Sequence, residues 1–282
     1  MLVDTMLPPI ADNFVAGESV ATALSHAREL NDGDVGAILN LLGEHYDDPS
    51  EAREDAEVYT TLVEDIAIEG LDARISVKPS QIGLDVGAET FEENLGHIVD
   101  VAAENDVFVW VDMEDYTTID TTLDAFEAHV TEYPKMGLCV QANMKRTRED
   151  LERLVELPGT VRLVKGAYDP PKEHAYKEKS RVNEAYREGL AFLFEHDDHL
   201  AVGSHDPKMI DYAKELHEEF GTTFEVQMLM GVRESEQFDL AADGYEVYQY
   251  APFGEKWLSY FYRRVRERKE NALFALRAVV SS

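Results

Sequence analysis

The sequence predicts an α/β protein, and most economically a distorted (βα)8 barrel of the TIM type. Eight apolar runs of strand length recur along the chain, and helical segments separate them. The runs are apolar without strict alternation, which is typical of parallel strands that are buried on both faces. Barrels of this class commonly reach about 250 residues as one unit, and the chain has 282.

The N-terminal part of the chain predicts one helix before the first strand. In the segment 17–33, Val20, Leu24 and Leu30 recur at helical spacing, and a glycine that can end the helix follows them. We therefore divide the chain into a short N-terminal helical segment, residues 1–34, and a barrel with the cofactor and substrate site, residues 35–282.

The apolar runs give the predicted strands in order. They lie at residues 35–44, 73–79, 107–113, 136–142, 160–168, 200–206, 224–231 and 245–251. An acid-rich helix at 50–69 follows the first run, and this strand-and-helix pattern then repeats. The alternative, an open doubly wound sheet, is expected to have a GxGxxG turn after its first strand, and the sequence has none.

The charge of the chain limits its partners. Its 57 acidic and 26 basic side chains give a formal charge of −31, which repels nucleic acid and anionic lipid. We expect no nucleic-acid partner and at most peripheral membrane contact, through the basic segment 263–269. The composition also resembles that of halophilic proteins, in which high salt screens the repulsion between carboxylates.

The sequence favours a cytoplasmic protein. Cys139 is the single cysteine, so no intramolecular disulfide forms, and a reducing compartment is expected. The start of the chain lacks the basic and apolar regions of a signal peptide, and no window approaches the roughly 18 apolar residues of a membrane span. Peripheral attachment at the inner face of the cell membrane is the further option.

Polar residues at the ends of the predicted strands are the candidates for a site, because ligands of such barrels bind over the carboxyl ends of the strands. These residues are Glu44, Lys78, Asp112, Gln141, Arg162, Lys165, His205, Gln227 and Tyr250.

Lys78 and Asp112 end neighbouring strands, and an ion pair between them is one way to satisfy both charges. Asp112, Glu114, Asp115 and His205 offer a different interpretation, as metal ligands. We expect no metal, because His205 is the only histidine at a strand end and the nearby lysines and arginines repel a cation.

Two further stretches are candidates for ligand binding. The motif RLVKGAY at 162–168 combines two cations with a glycine that permits close backbone approach, which suits an anionic, planar cofactor. On a helix after Gly254, Arg263 and Arg264 leave side by side and suit a small carboxylate, which arginine grips with two parallel hydrogen bonds. A solvated basic patch is the alternative for this pair.

Seven motifs in sequence resemble the FAD-dependent proline dehydrogenase family, in its monofunctional form. They are ISVKPSQIG, VWVDMED, VQANMKR, RLVKGAY, VGSHDP, FEVQMLMG and YAPFGEKWLSYFYRRVRE. The resemblance runs from about Phe14 to about Asn271. It implies a barrel that binds FAD without a GxGxxG turn and oxidises L-proline to 1-pyrroline-5-carboxylate by hydride transfer to FAD, the first step of proline catabolism.

The resemblance also implies two sets of site residues. The substrate-binding set is Lys78, Asp112, Tyr250, Arg263 and Arg264. The FAD-binding set is Gln141, Arg162, Val164, Lys165, Gly166, Ala167, Ser204, His205, Gln227 and Glu267. Lys78, Asp112 and Arg162 take the catalytic positions, with Arg162 near the reactive flavin nitrogen. Glu44 matches a loop carboxylate that pairs with one of the arginines as a lid.

Some alternatives stay open at this point. A flavin-binding barrel of the methylenetetrahydrofolate reductase type also lacks a Rossmann domain, and an amino-acid-binding protein on the same barrel would hold no flavin. For the electron acceptor we expect a quinone, with oxygen or another carrier as the alternative. The product is expected to pass to an aldehyde dehydrogenase.

Overall fold

The barrel is closed by the pairing of its first and last strands. The computed structural model describes residues 13–258, and its elements alternate regularly between helix and strand. In chain order they are α1 (Val20–Asn31), β1 (Gly36–Leu41), α2 (Pro49–Glu69), β2 (Ala73–Val77), α3 (Ala88–Asn105), β3 (Val109–Val111), α4 (Ile119–Val130), β4 (Met136–Gln141), α5 (Thr147–Leu154), β5 (Thr160–Val164), α6 (Lys179–His196), β6 (His199–Gly203), α7 (Pro207–Phe220), β7 (Thr223–Leu229), α8 (Glu234–Ala242) and β8 (Glu246–Phe253).

All eight strands are parallel, and each pairs with the next in the chain, with β1 paired to both β2 and β8. The predicted eight-stranded βα barrel is thus confirmed, and each predicted apolar run overlaps one observed strand. The third run is the most overestimated, because only three of its seven residues form β3. The division at residue 34 stays a prediction.

Local sequence signals begin and end the helices. Ser19 accepts a hydrogen bond from the backbone of Thr22 and so caps α1, while the Thr22 hydroxyl accepts one from the backbone of Ser19. Helix α2 starts with Asp48 as its cap and Pro49 as its first residue, and ends at Gly70 in the left-handed conformation. These caps orient the helices that cover the outside of the barrel.

The strands direct their apolar side chains into two separate spaces. The larger core lies between strands and helices and includes Leu39, Ile75 and Val109. A smaller cluster of Ile38, Trp110, Ala201 and Tyr248 is separate from it, and these residues lie on the opposite face of their strands. This inner cluster is therefore a layer inside the barrel, which leaves polar interiors at both of its ends.

None of the helices between residues 13 and 258 combines the length and the apolar character that crossing a bilayer requires.

Candidate active site

Asp112 stands one residue beyond β3 and accepts hydrogen bonds from three side chains inside the barrel mouth. The Ser76 hydroxyl donates to its Oδ1 at 3.0 Å, and the Tyr250 hydroxyl donates to its Oδ2 at 2.7 Å. The guanidinium of Arg162 forms an ion pair with Oδ1. Side chains from β2, β5 and β8 thus meet at one carboxylate.

The pair of Asp112 and Arg162 is largely removed from solvent. The Arg162 side chain is 4% exposed and that of Asp112 is 15% exposed. Two rings flank the guanidinium, with Trp110 centred 4.7 Å and Tyr250 centred 5.5 Å from its central carbon. Since arginine stays charged and offers five donors, it remains a fixed positive charge in this enclosed space.

Lys78 lies one residue beyond β2, and its hydrogen-bond partner is Asn40. Its Nζ donates to Oδ1 of the fully buried Asn40 at 2.8 Å, and Asn40 Nδ2 donates to the Ser76 carbonyl at 2.8 Å. An ion pair between Lys78 and Asp112, which the sequence offered as one way to satisfy both charges, does not form. The partner of the Asp112 carboxylate is Arg162, which reaches it across the barrel.

Tyr250 and Glu114 both have raised pKa values. Burial, followed by the charge of Asp112, raises the pKa of Tyr250 well above its usual value, so the phenol stays a hydrogen-bond donor. Burial also raises the pKa of Glu114, although the backbone and hydroxyl of Ser80 donate to its carboxylate at 2.7 and 2.8 Å. Tyr168 donates to the same carboxylate at 3.3 Å.

The ends of β4 and β5 form a polar cradle, defined here as Gln141, Asn143 and Gly166. Among the described residues, Gln141 Oε1 and Asn143 Oδ1 are buried and have no hydrogen-bond partner. Gly166 has φ +108°, and a Cβ there would lie 2.3 Å from Asn143 Oδ1. Two acceptors without donors beside a glycine that permits close backbone approach fit a ligand with hydrogen-bond donors.

The other predicted cofactor residues that the structure describes surround the same end of the barrel. Lys165 pairs with Asp206 at 2.8 Å, Ser204 accepts from the Asp206 backbone at 3.2 Å, and His205 Nε2 accepts from the Leu229 backbone at 2.8 Å. Gln227 accepts from Arg162 at 3.0 Å. Val164 is half-buried and Ala167 is exposed.

The alternative of a metal at Asp112, Glu114, Asp115 and His205 is not supported, because each of them has different partners. Asp115, for example, accepts from the backbone and hydroxyl of Thr117. In the part of the chain from 13 to 258, the acidic and histidine side chains close enough to share an ion are His199, Glu225 and Glu246, at the opposite end of the barrel.

Three predicted site residues, Arg263, Arg264 and Glu267, lie outside the described residues. Glu44 lies three residues beyond β1, half-buried. Its charge and that of Glu114 help to raise the pKa of Tyr168, for which burial is the largest cause. Glu44 therefore lies near the barrel mouth.

The structure adds two polar site residues that the sequence analysis did not select, namely Asn40 and Ser76. Asn40 and Ser76 are fully buried. Each interrupts an apolar run, and Ser76 stands two residues before Lys78, on the same face of the strand. A polar residue two positions before a polar strand-end residue was therefore the sequence signal that could have identified Ser76 as a site residue.

Comparisons with known proteins point to one family. A family model described as "Proline dehydrogenase" matches residues 23–277. Proline dehydrogenase 1 of Bacillus subtilis subsp. natto is 34% identical over 273 residues, which are 96% of this chain and 90% of that protein. Proline dehydrogenase of Deinococcus radiodurans is 34% identical over 284 residues, with the same two coverages.

A solved structure has the same fold. Proline utilization A (PutA) from Bdellovibrio bacteriovorus, inactivated by N-propargylglycine, matches with a TM-score of 0.83 and 24% identity. The match covers 90% of this chain and 32% of that one, so the chain spans about a third of that protein.

Proposed function

Since the chain belongs to the proline dehydrogenase family, we infer that it oxidises L-proline to 1-pyrroline-5-carboxylate, the first step of proline catabolism. It is an oxidoreductase that acts on the CH–NH group of its donor, with FAD as cofactor. The observation that most directly supports this function is the meeting of Asp112, Arg162 and Tyr250, with Lys78 nearby, at the carboxyl end of the barrel.

The residues of the barrel mouth fit a flavin. The cradle offers two buried acceptors without donors, and Gly166 leaves room for backbone approach. We propose that Gln141, Arg162, Val164, Lys165, Gly166, Ala167, Ser204, His205, Gln227 and Glu267 hold the cofactor. When bound, FAD supplies the acceptor for the hydride that leaves proline.

We propose that Arg263 and Arg264 bind the proline carboxylate, because paired guanidiniums suit that group. Tyr250 forms one wall of the substrate space, and its hydroxyl is held by Asp112. Lys78, oriented by Asn40, adds a positive charge that favours the neutral form of the substrate amine. Arg162 stabilises negative charge that develops on the cofactor side of the site.

Glu44 is proposed as the lid carboxylate. It lies in the segment after β1, near Glu114 and Tyr168. Closing over the substrate would exclude water from the reacting atoms. A Glu44→Gln variant should raise the KM for proline more than it lowers kcat, and equal changes in both would argue against a lid.

Anaerobic absorbance spectroscopy tests the function. The protein, purified in high salt, should show a flavin spectrum that bleaches on addition of L-proline and not on addition of reduced nicotinamide cofactor. Bleaching by the nicotinamide alone would favour a reductase of the methylenetetrahydrofolate type. A colourless protein that FAD does not reconstitute would favour an amino-acid-binding protein.

The carboxylate site is tested with Arg264→Met. Losing a charged partner of a desolvated carboxylate costs about 2–5 kcal/mol, so the KM for proline should rise at least about tenfold with FAD retained. Arg266→Met, which removes the same charge two residues away, is the matched control and should leave the KM unchanged. Equal effects of the two variants would make the arginine pair part of a general basic patch.

We propose a quinone as the electron acceptor. We also propose that an aldehyde dehydrogenase consumes the product, because the cyclic imine hydrolyses to an aldehyde. Proline-reduced enzyme should reduce a soluble quinone anaerobically, and faster than it reacts with oxygen in air-saturated buffer. We also propose a cytoplasmic protein of a halophilic organism, with peripheral membrane contact through the basic segment 263–269. The charge of −31 supports the halophilic setting.

A further inference from the structure

A cluster of charged residues fills the end of the barrel opposite to the site. We call it the floor cluster and define it as Arg74, His199, Glu225 and Glu246. Arg74 pairs with Glu225 at 2.8 Å and with Glu246 at 3.2 Å, while His199 Nε2 lies 3.5 Å from Glu225. The positive charge of Arg74 takes the place that a metal ion would need, so we interpret the cluster as ionic.

Glu225 differs from the other members because it also contacts a site residue. Its side chain is fully buried, and it accepts a hydrogen bond from Nε2 of Gln227. The two residues are separated by one position on β7, so both side chains face the barrel interior. Gln227 Oε1 in turn accepts from Arg162 at 3.0 Å. A continuous chain of polar contacts therefore joins the floor cluster to the site.

Small residues on β6 make this connection geometrically feasible. Strand β6 lies between β5 and β7, and Ala201 is in register with both Arg162 and Glu225. Gly203 is in register with Gln227, and a Cβ on it would lie 3.5 Å from Arg162 Cγ. The absence of large side chains at these two positions lets Arg162 reach across β6 to Gln227.

The hydrogen-bonding groups of Arg162 and Glu225 fix the orientation of the Gln227 amide that lies between them. Arginine only donates hydrogen bonds and a carboxylate only accepts them, whereas an amide has one end of each kind. Gln227 must therefore turn its oxygen to Arg162 and its nitrogen to Glu225. Without Glu225, the buried amide nitrogen would lose its acceptor, and a rotated amide would place a donor against the guanidinium.

From this geometry we propose that Glu225 is a positioning residue for Arg162, and that it acts through the amide of Gln227. Asp112 holds one side of the guanidinium, and the oriented amide holds another. Glu225 thereby sets the position of the positive charge that acts on the flavin. This inference rests on the proposed placement of the flavin beside Arg162.

The test measures the midpoint potential of bound FAD in the holoenzyme. Arg162→Met should lower the ratio of reduced to oxidised FAD about tenfold at a fixed potential, which is about 30 mV for a two-electron couple. Glu225→Leu should change the ratio at least about threefold in the same direction. Glu225→Gln keeps an acceptor for Gln227 and should stay within about twofold of the wild type.

Two further variants control the test. Glu246→Gln removes a partner of Arg74 without touching Gln227, and should leave the potential unchanged. If Glu225→Leu fails to fold because Arg74 loses its fully buried partner, Arg74→Met combined with Glu225→Leu replaces that ion pair with apolar groups and is measured instead.

A double-mutant cycle decides whether the effect passes through Arg162. The variant with both Arg162→Met and Glu225→Leu should match Arg162→Met alone, since the charge that Glu225 positions is gone. Additive effects, an unchanged potential in Glu225→Leu, or an equal change in Glu225→Gln would each overturn the inference. An unchanged potential in Arg162→Met would instead overturn the placement of the flavin, and the inference with it.

Discussion

Asp112 illustrates how one buried carboxylate can be both a site residue and a structural requirement. Its partner Arg162 is nearly inaccessible to water, and Asp112 supplies the carboxylate that balances its charge. An ion pair of this kind is costly to break, because removal of one member leaves the other charge desolvated. Stability and function are therefore linked at this position.

We expect Asp112→Ala to lower the free energy of unfolding by about 3–5 kcal/mol, because Arg162 is left as an uncompensated buried charge. Urea denaturation followed by circular dichroism measures this. Asp120→Ala is the matched control: Asp120 also pairs with an arginine, Arg146, but is 74% exposed, so its loss should cost at most about 1 kcal/mol. Similar losses for the two variants would contradict the interpretation of Asp112.

Tyr250 is the residue at which we expect substrate specificity to be altered. Tyr250→Ser should raise kcat/KM for hydroxyproline relative to proline, because it opens space and provides a polar partner. Tyr250→Phe keeps the bulk of the ring but loses the hydrogen bond to Asp112, so it should lower both rates without changing their ratio. An unchanged ratio in the serine variant would remove Tyr250 from the specificity role.

The sequence predicted which strand-end residues belong to the site, but it did not predict which side chains they contact. Lys78, Asp112 and Tyr250 were found because they end apolar runs, and parallel strands bring such positions to one end of a barrel. The partners were not predictable, since Asp112 and Arg162 are 50 positions apart and meet only across the barrel. Asn40 and Ser76 were missed because they lie inside runs that are otherwise apolar.

The floor cluster was missed for a different reason. Arg74, Glu225 and Glu246 stand near the starts of their strands, where ligands of such barrels do not bind. Glu225 is nevertheless fully buried at this end of the barrel. The amino end of the barrel is therefore an ionic layer, and the strands link it to the site.

The turn after β5 determines how closely the backbone of the cradle approaches its ligand. We expect Gly166→Ala to weaken FAD binding and to destabilise the fold by about 1–3 kcal/mol, because φ is +108° and the methyl group would displace Asn143. Flavin fluorescence titration and thermal unfolding measure the two effects.

A substitution at Gly70 is the control that measures the cost of backbone strain without displacement of Asn143. Gly70 has φ +63°, and a Cβ added there would have no atom within 4 Å, so Gly70→Ala should cost about 1–2 kcal/mol from strain alone. Its FAD affinity should match that of the wild type. A Gly166→Ala protein with normal FAD affinity would show that the cradle does not contact the cofactor.

The contact between His199 on β6 and Glu225 on β7 makes the free energy of unfolding depend on pH. Burial and Arg74 lower the pKa of His199, but Glu225, with Glu246, outweighs them and raises it above the usual 6.5. The protonated histidine therefore stabilises the fold fully below about pH 6.5, and this contribution is lost as pH rises through the raised value.

His199→Gln should consequently cost more stability at pH 6 than at pH 9, as measured by urea denaturation at both values. In a Glu225→Gln background the same substitution should cost nearly the same at both, because the main source of the raised pKa is gone. A pH-independent cost in the wild-type background would contradict a charged His199 in the folded protein.

The whole molecule carries a formal net charge of −31, because it has 57 acidic but only 26 basic side chains. Most of its carboxylates therefore have no basic side chain to neutralise them. Many of the acidic side chains are exposed on helices such as α2, whose sequence includes SEARED. Repulsion among such groups destabilises the compact state, and it weakens as the screening length falls from about 10 Å at 0.1 M salt to about 3 Å at 1 M.

We expect the melting temperature to rise by roughly 4–8 °C between 0.1 and 1 M KCl, equivalent to about 2 kcal/mol of relieved repulsion in a chain of this size. Differential scanning calorimetry measures it. Replacing exposed carboxylates of α2, Glu51, Glu54 and Glu64, with glutamine should raise the melting temperature at low salt and flatten its salt dependence, because fewer charges remain to be screened. An equal rise in sucrose, or a slope unaffected by these substitutions, would assign the effect to general solute exclusion, and the acidic surface would then have no role in salt adaptation.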